Sequence, residues 1–287
     1  MADLAVRLEN VHVDYPVEGS STRKILNGID LEIESGEFVS IVGQTGCGKS
    51  TLLRLILAEE KPSQGRVLVG GRERSQPDRY CGYVPQKYSL FPDKTVLDNV
   101  TFGPEVTALR GFSRLSPPGR RRLREFRAEA LAYLRHTGLH QADARKYPHQ
   151  LSGGMQQRVA IAQALIMKPP ILLMDEAFSA LDPGTRTGMQ RLIKELWRES
   201  GTTIVFVTHN TREAVCLGTR VIALAKQPPG ERGSSVALDL SVPHANFDSD
   251  EEEIARLIRE VEAATMPAGT ISGSFTPTMA IHAGSSE

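Results

Sequence analysis

Very little in this sequence is in excess. Cysteine is scarce: Cys47, Cys81 and Cys216 are an odd number without metal-ligand spacing, which argues against a disulfide framework or a thiolate metal site and fits a reducing compartment. Net charge is missing, with 34 lysines and arginines against 34 acids in 287 residues. A chain without a basic excess is not built to wrap nucleic acid, and no nucleic-acid partner is expected. Long apolar runs are also missing, since nowhere do about 18 uncharged apolar residues follow one another. The opening "MADLAVRLENVHVDYP" carries charges where a secretion signal needs an apolar region. The expectation is a chain that neither enters nor spans a membrane by itself. What remains, 40% hydrophobic and 24% charged residues, is the composition of a globular protein.

Along the chain, short apolar strands alternate with amphipathic helices, the pattern of an α/β protein with a mostly parallel sheet. "EFVSIVG", "RVLVGG", "CGYVPQ", "ILLMDE", "TIVFVTH" and "RVIALA" read as strands, and helices are expected to start near Ser50, Thr95, Arg120, Gly153, Pro183 and Thr211. The first segments, "VRLENVHVDY" and "GIDLEIE", alternate as antiparallel strands do and predict a side sheet. Between Gly103 and Leu151 the strand signal disappears and helix formers accumulate, which predicts a helical subdomain inserted at about residues 88–165. A C-terminal extension at about 226–265 includes "DSDEEEIARLIREVEAA", where Ser249 stands three residues before Glu252 and Ile254, Leu257, Ile258 and Val261 share one face of a capped helix. One domain over 1–265 is expected. The Gly-, Ser-, Thr- and Pro-rich residues 266–287 are expected to be disordered.

The segment "SIVGQTGCGKSTLLRLI" places a glycine-rich loop between a strand and a helix, and Gly43 to Ser50 fit G-x-x-x-x-G-K-[ST]. Missing Cβ atoms at Gly43, Gly46 and Gly48 let backbone N–H groups approach phosphate oxygens, and the next helix turns its positive end toward them. Gln44, Thr45 and Cys47 complete that loop. Lys49 adds charge for the outer phosphates, the Ser50 hydroxyl suits Mg²⁺, and Thr51 offers another phosphate contact. "ILLMDE" delivers Asp175 and Glu176 to the carboxyl end of a buried strand, where open α/β sheets bind ligands. Asp175 there can hold a Mg²⁺ shell opposite Ser50, and Glu176 can polarise a water. The third element, "LSGGMQQRVAIAQAL", sets Ser152, Gly153 and Gly154 before a helix as a second anion-binding start.

This last segment resembles the signature motif of ATP-binding cassette proteins almost letter for letter. Over residues 4 to about 225 the phosphate loop, Gln86, "LSGGMQQ", Asp175-Glu176, "SALD" and His209 stand in that family's order. The resemblance implies a P-loop NTPase (RecA-like) α/β core with an antiparallel β side sheet and an inserted helical subdomain. It further implies a head-to-tail dimer of two copies holding two ATP molecules with Mg²⁺, each between the phosphate loop of one copy and the signature of the other. By matched position, Ser152, Gly153, Gly154 and Gln156 face the opposite copy's nucleotide, His209 holds γ-phosphate and water, Asp182 organises the seam, Gln86 touches the metal site, and Tyr15 stacks on adenine. The expected partners are transmembrane permease subunits and a solute-binding protein, with the chain peripheral on the cytoplasmic face of the inner (plasma) membrane. Within the family, "YPHQLSGGMQQRVAIAQAL" and the C-terminal extension look most like nitrate, sulfonate and taurine importers, although Ala177 stands where that group often has proline.

Other readings stay beside these. Tyr15 alone would be a packing residue and His209 alone a surface one. Tyr88 and Phe91 fit a partner's docking helix or ordinary burial equally well. The seven arginines over residues 110–127 fit a solvated helix face, with anionic lipid or nucleic acid as the sharper alternatives. Cys47 reads as a small filler whose place at a helix start could lower its pKa and expose the loop to thiol reagents. A soluble cassette ATPase of translation or DNA repair and a P-loop kinase compete as functions. The signature and His209 disfavour the kinase, while the single cassette and the lack of a heptad run weigh against the soluble forms.

Overall fold

The computed structural model describes residues 3–17, 21–87, 90–109, 116–226, 233–242 and 251–265. The capping serine expected at 249, Tyr88, Arg110, Arg114 and residues 266–287 lie outside them. Ten strands among the described residues form one mixed sheet. They are β1 (Leu4–Val17), β2 (Ser21–Glu34), β3 (Phe38–Gly43), β4 (Gln64–Val69), β5 (Arg72–Glu73), β6 (Cys81–Val84), β7 (Ile171–Asp175), β8 (Thr203–Val207), β9 (Arg220–Lys226) and β10 (Ser234–Ser241), in the order β5-β4-β1-β2-β10-β9-β3-β8-β7-β6. Strands β9, β3, β8, β7 and β6 are mutually parallel, and β5, β4, β1 and β2 are antiparallel.

The antiparallel side sheet expected from the sequence is present and joins the parallel core through β10, a strand not foreseen from the sequence, which runs antiparallel to β9 and meets β2 at Ser234↔Leu26. The signal was available: in "SSVALDLS" Val236, Leu238 and Leu240 alternate with Ala237, Asp239 and Ser241, shortly after the strand segment "RVIALA".

The central strands read as continuous apolar runs because both their faces are covered. Ile171 and Leu173 of β7 and Val205 and Val207 of β8 face α1 (Lys49–Ile56), which contributes Leu52, Leu53, Leu55 and Ile56 to the same cluster. Leu172, Met174 and Phe206 face the other way, onto α5 (Pro183–Ser200) and α6 (Thr211–Leu217). The helices α2 (Val96–Ala108), α3 (Pro117–His136) and α4 (Gly153–Leu165) gather around Val100, Leu134, Leu139 and Val159. Helix α4 belongs to two cores, with Ile161 and Ala164 in the sheet's cluster and Val159 and Ala162 in the helical one. That double burial explains why its sequence shows no clean apolar stripe. The arginines of α3 lie on its solvent side, where Arg121 pairs with Glu125, Arg127 with Asp98, and Arg122 covers Phe126.

Side-chain caps start most of these helices. Thr95 accepts from Asp98 N–H, Ser116 from Gly119 N–H ahead of two prolines, Asp182 from Thr185 N–H and Asn210 from Glu213 N–H. Helix α7 (Glu251–Thr265) packs Leu257 and Val261 onto Ala214, Val221, Ala223 and Val242, with Ile254 buried as well. An exposed two-pronged pair, Arg212 to Glu251, closes its amino end. Apolar burial therefore outweighs the ion pair, which water and salt screen. Leu257→Ala is expected to cost about 2–5 kcal/mol, read as a lower Tm, whereas Arg212→Ala should leave the Tm nearly unchanged.

Candidate functional site

Four adjacent parallel strands end on one edge of the sheet. β3 runs into the glycine-rich loop, β8 leads to His209, β7 to Asp175 and Glu176, and β6 to Gln86. Residues far apart in sequence are thereby delivered side by side, outside the carboxyl ends of the strands.

The loop after β3 needs its glycines. At Gly43 φ is +153°, and a Cβ would lie 2.4 Å from the Leu224 carbonyl oxygen. At Gly48 φ is +95°, and a Cβ would meet Leu26 at 2.6 Å. Gly48 is also the N-cap of α1, where it provides no side-chain acceptor, and no acid stands in the first turn. The bare N–H groups and positive end of α1 remain for an anion. They open on a cavity of about 540 Å³ lined in part by Thr45, Gly46, Gly48, Lys49, Ser50 and Thr51. Lys49 is 6% exposed, and its Nζ donates to the carbonyls of Gly43 at 2.7 Å and Gln44 at 3.2 Å. This buried cation rests on neutral dipoles rather than on a carboxylate.

Asp175 is buried behind the cavity, with the Ser50 hydroxyl beside its carboxyl. Burial holds its carboxyl above the ordinary aspartate range, with the Ser50 hydroxyl pulling the other way and the Glu176 charge adding to the rise. Glu176 has φ +46°, a left-handed conformation uncommon for a residue with a side chain, fixed by its N–H donating to Val207 O at 2.9 Å. Its Oε2 accepts from Gln86 Nε2 at 2.7 Å, and its Oε1 lies 3.3 Å from His209 Nδ1. Glu176 is thus oriented from both sides by groups arriving from other strands.

These residues fit a nucleoside triphosphate with Mg²⁺. A helix start without a side-chain cap and a lysine held, among the described residues, by two carbonyls suit phosphate, and the Ser50 hydroxyl with the Asp175 carboxylate supplies the hard oxygen donors that Mg²⁺ takes. Tyr15 lines the far end of the cavity, half-buried, with its hydroxyl accepting from Arg54 Nη2 at 3.2 Å and its phenol pKa raised by burial. Arg23, the cross-strand partner of Tyr15, and Ile25 line the same cavity and were not foreseen. Their spacing of two puts them on one face of β2, but the register that sets that face toward Tyr15 comes from the fold.

Other expected site residues lie elsewhere. Ser152, Gly153, Gly154, Gln156 and Asp182 do not line this cavity among the described residues. Ser152 is exposed and caps α4 through Met155 N–H at 3.3 Å. Asp182 caps α5, and that contact lowers its pKa. The Gln156 amide donates to Pro148 O at 3.0 Å and Leu151 O at 3.2 Å, securing the turn that precedes Ser152. The Gln44 side chain turns away from the cavity to Thr265 O at 3.1 Å, at the end of α7. Cys47 is fully buried beneath the loop, as a small filler is, and burial pushes its thiol pKa up, against the alternative of a thiol lowered by the helix start. Phe91 is partly exposed and rests against Phe102 with ring centroids 4.6 Å apart.

A phosphate loop, an acid pair and a histidine on the edge of a parallel sheet define a P-loop nucleoside triphosphatase. Comparison with known proteins narrows this class. The family model described as ABC transporter matches residues 26–179. An uncharacterized ABC transporter ATP-binding protein of Methanocaldococcus jannaschii is 40% identical over 83% of this chain and 84% of its own length. An aliphatic sulfonates import ATP-binding protein of Pseudomonas savastanoi pv. phaseolicola is 41% identical over 77% of this chain and 74% of that protein. A bicarbonate transport ATP-binding protein of Synechococcus elongatus is 39% identical over 85% of this chain but only 35% of that protein, so the chain spans about a third of that relative's length. Among solved structures, the ATP-binding cassette MJ0796, a dimer in a post-hydrolysis state bound to ADP and Pi, superposes with a TM-score of 0.70 at 36% identity, over 83% of this chain and 98% of that one. The chain belongs to the ABC transporter ATP-binding family. It is an ATPase, with ATP and Mg²⁺ as its cofactors.

The buried Asp175 has a consequence for stability. Its raised pKa means the folded chain favours the neutral acid, so stability is greatest below the unfolded aspartate pKa and is lost as pH rises through the folded one. At neutral pH, without Mg²⁺, the charge is a cost. Asp175→Asn should therefore raise the Tm of the nucleotide-free chain at pH 7, with the gap closing in acid, while weakening Mg²⁺-dependent nucleotide binding. Thermal melts across pH and binding titrations with and without Mg²⁺ check both halves.

Proposed function

We propose that this chain is the ATP-hydrolysing subunit of a membrane importer. Two copies enclose two MgATP and drive a small solute through separate transmembrane subunits, with a solute-binding protein delivering it. The sulfonate and bicarbonate relatives support import and leave the solute open, since their names point to different anions. No helix among the described residues is long and apolar enough to cross a membrane, which fits a subunit that works on permease partners at the cytoplasmic face. In this reading residues 1–265 are the ATPase domain and 88–165 its inserted helical subdomain, the part that meets the permeases.

One observation carries the shared site: the chain has two anion-binding helix starts, and only one of them opens on the cavity holding Glu176, Gln86 and His209. The start at exposed Ser152 and half-buried Gly153 and Gly154 completes the site of a second copy, with Asp182 at the seam between them. The solved dimer of a family member supports this arrangement.

Within one site, Lys49 leaves the carbonyls of Gly43 and Gln44 for phosphate oxygens, and the remaining loop residues donate backbone N–H groups. Ser50, Asp175 and Gln86 would hold Mg²⁺. Bound MgATP supplies a γ-phosphoryl group whose charge the metal and Lys49 offset. Glu176 takes the proton of the attacking water, and His209 and Gln86 set the direction of its carboxylate. Tyr15 stacks on the base.

Glu176→Gln should keep MgATP binding and lose about 10²- to 10⁴-fold in hydrolysis rate, measured by phosphate release beside a binding titration. Near-normal turnover would remove Glu176 as the base. The shared site is tested by complementation between Lys49→Ala in one copy and Ser152→Arg in the other. Each homodimer carries two damaged sites, whereas the mixed dimer gathers both lesions into one composite site and leaves the other intact. Purified mixed dimers, assembled with the transmembrane partner, should occlude ATP and release phosphate. Loss of both in verified, folded mixed dimers would place each site within a single chain.

A further inference from the structure

The carboxylate of Glu213 has no part in the site as described, yet contacts from three directions converge on it. Its Oε2 accepts from Thr208 Oγ1 at 2.9 Å, and its Oε1 accepts from Gln190 Nε2 at 3.1 Å. Arg186 reaches Oε1 with its Nε at 3.8 Å while donating through Nη2 to Leu181 O at 3.0 Å. Thr208 Oγ1 in turn accepts from Asn210 N–H at 3.0 Å, and Asn210 Oδ1 accepts from Glu213 N–H at 3.1 Å. These bonds enclose His209 on both sides in sequence, although the His209 ring itself is exposed and touches Glu176. Thr208 and Gln190 are buried and the Glu213 side chain is 12% exposed, so the hub is largely shielded from water, which strengthens hydrogen bonds to a carboxylate. Arg186 Nε is buried without a hydrogen-bond partner among the described residues, which leaves the pair with Glu213 open by a few tenths of an ångström.

We infer that Glu213 is a positioning residue for hydrolysis, holding the Thr208-His209-Asn210 turn in place and tying it to the loop that ends at Asp182. The tie runs through Arg186, which grips the carbonyl of Leu181, the residue before Asp182, and through α5, where Lys194 Nζ also donates to Cys216 O at 2.6 Å near the end of α6. A displacement of the Asp182 loop by a second copy would reach His209 by this route, because α5 and α6 are pinned together at both ends of their contact. Removing the charge of Glu213 frees the turn without altering any group that touches nucleotide. The inference rests on the reading of His209 as a hydrolytic residue.

Two readouts on the full-length chain test it: MgATP turnover with nucleotide affinity, and the ring resonances of isotopically labelled histidine in the nucleotide-free protein, with His209 assigned from His209→Ala. Glu213→Gln is expected to lower kcat about 10- to 100-fold, the effect of a slightly misplaced catalytic group, with nucleotide affinity retained and the His209 resonance displaced. Thr208→Val, which removes one hydroxyl and keeps the shape, should move the same resonance in the same direction and serves as the test should Glu213→Gln fail to fold. Added to His209→Ala, Glu213→Gln should cost nothing more. An unmoved His209 resonance in either folded variant, or a full additional loss on the His209→Ala background, overturns the role of Glu213. Normal turnover of His209→Ala alone is a different result: it removes His209 from hydrolysis, and the inference falls with it.

Discussion

The first turn of α1 has no cap of its own, and much of the structure is arranged around that deficiency. Gly48 adopts a conformation that a side chain would resist and brings no acceptor, so among the described residues no N-cap side chain satisfies the first donors of α1. A helix start of this kind is tolerable only beside water or an anion. The rest of the fold keeps it in place: α1 is buried along one face by the strands of both halves of the sheet, and the Gly43 turn is pressed against the carbonyl of Leu224 on β9. The chain thus keeps an unsatisfied electrostatic demand at one spot, enforced by packing that would have to be broken to relieve it.

Parallel strands convert that spot into a reaction site. Because β3, β8, β7 and β6 run side by side, each contributes one short loop to the same edge, and the groups meeting there come from positions 43 to 209. Helix α4 performs a similar service for the two cores. By burying residues in both clusters it fixes the exposed Ser152 start relative to the sheet, though it lies outside the cavity.

Most of the core was legible in the sequence because both faces of the central strands are covered, which writes them as uninterrupted apolar runs such as "IVFV" and "ILLM". The phosphate loop and acid pair were legible for another reason: their chemistry demands fixed residue types at fixed spacing. Of what escaped, β10 carries its own period-two alternation but takes its place between β9 and β2 only in the fold. Arg23 joins the cavity through cross-strand register with Tyr15, which spacing alone does not reveal. Cys47 is the small filler its loop position suggested, and burial under the loop rather than the helix start sets the direction of its ionisation. Glu213 was invisible because its partners come from α5 and from the turn after β8, brought together only by the fold.

The hydrogen bond from Gln44 to the last carbonyl of α7 joins two parts of the chain 221 positions apart, one in the phosphate loop and one at the end of the C-terminal helix. Lys226 adds a longer contact of 3.5 Å to the Thr45 carbonyl. Such a joint obeys reciprocity. Whatever free energy filling the loop adds to or takes from this bond, displacing the helix end returns to the affinity of the loop in equal measure. Any coupling between occupancy of the loop and the seating of the C-terminal helix would therefore run equally in both directions.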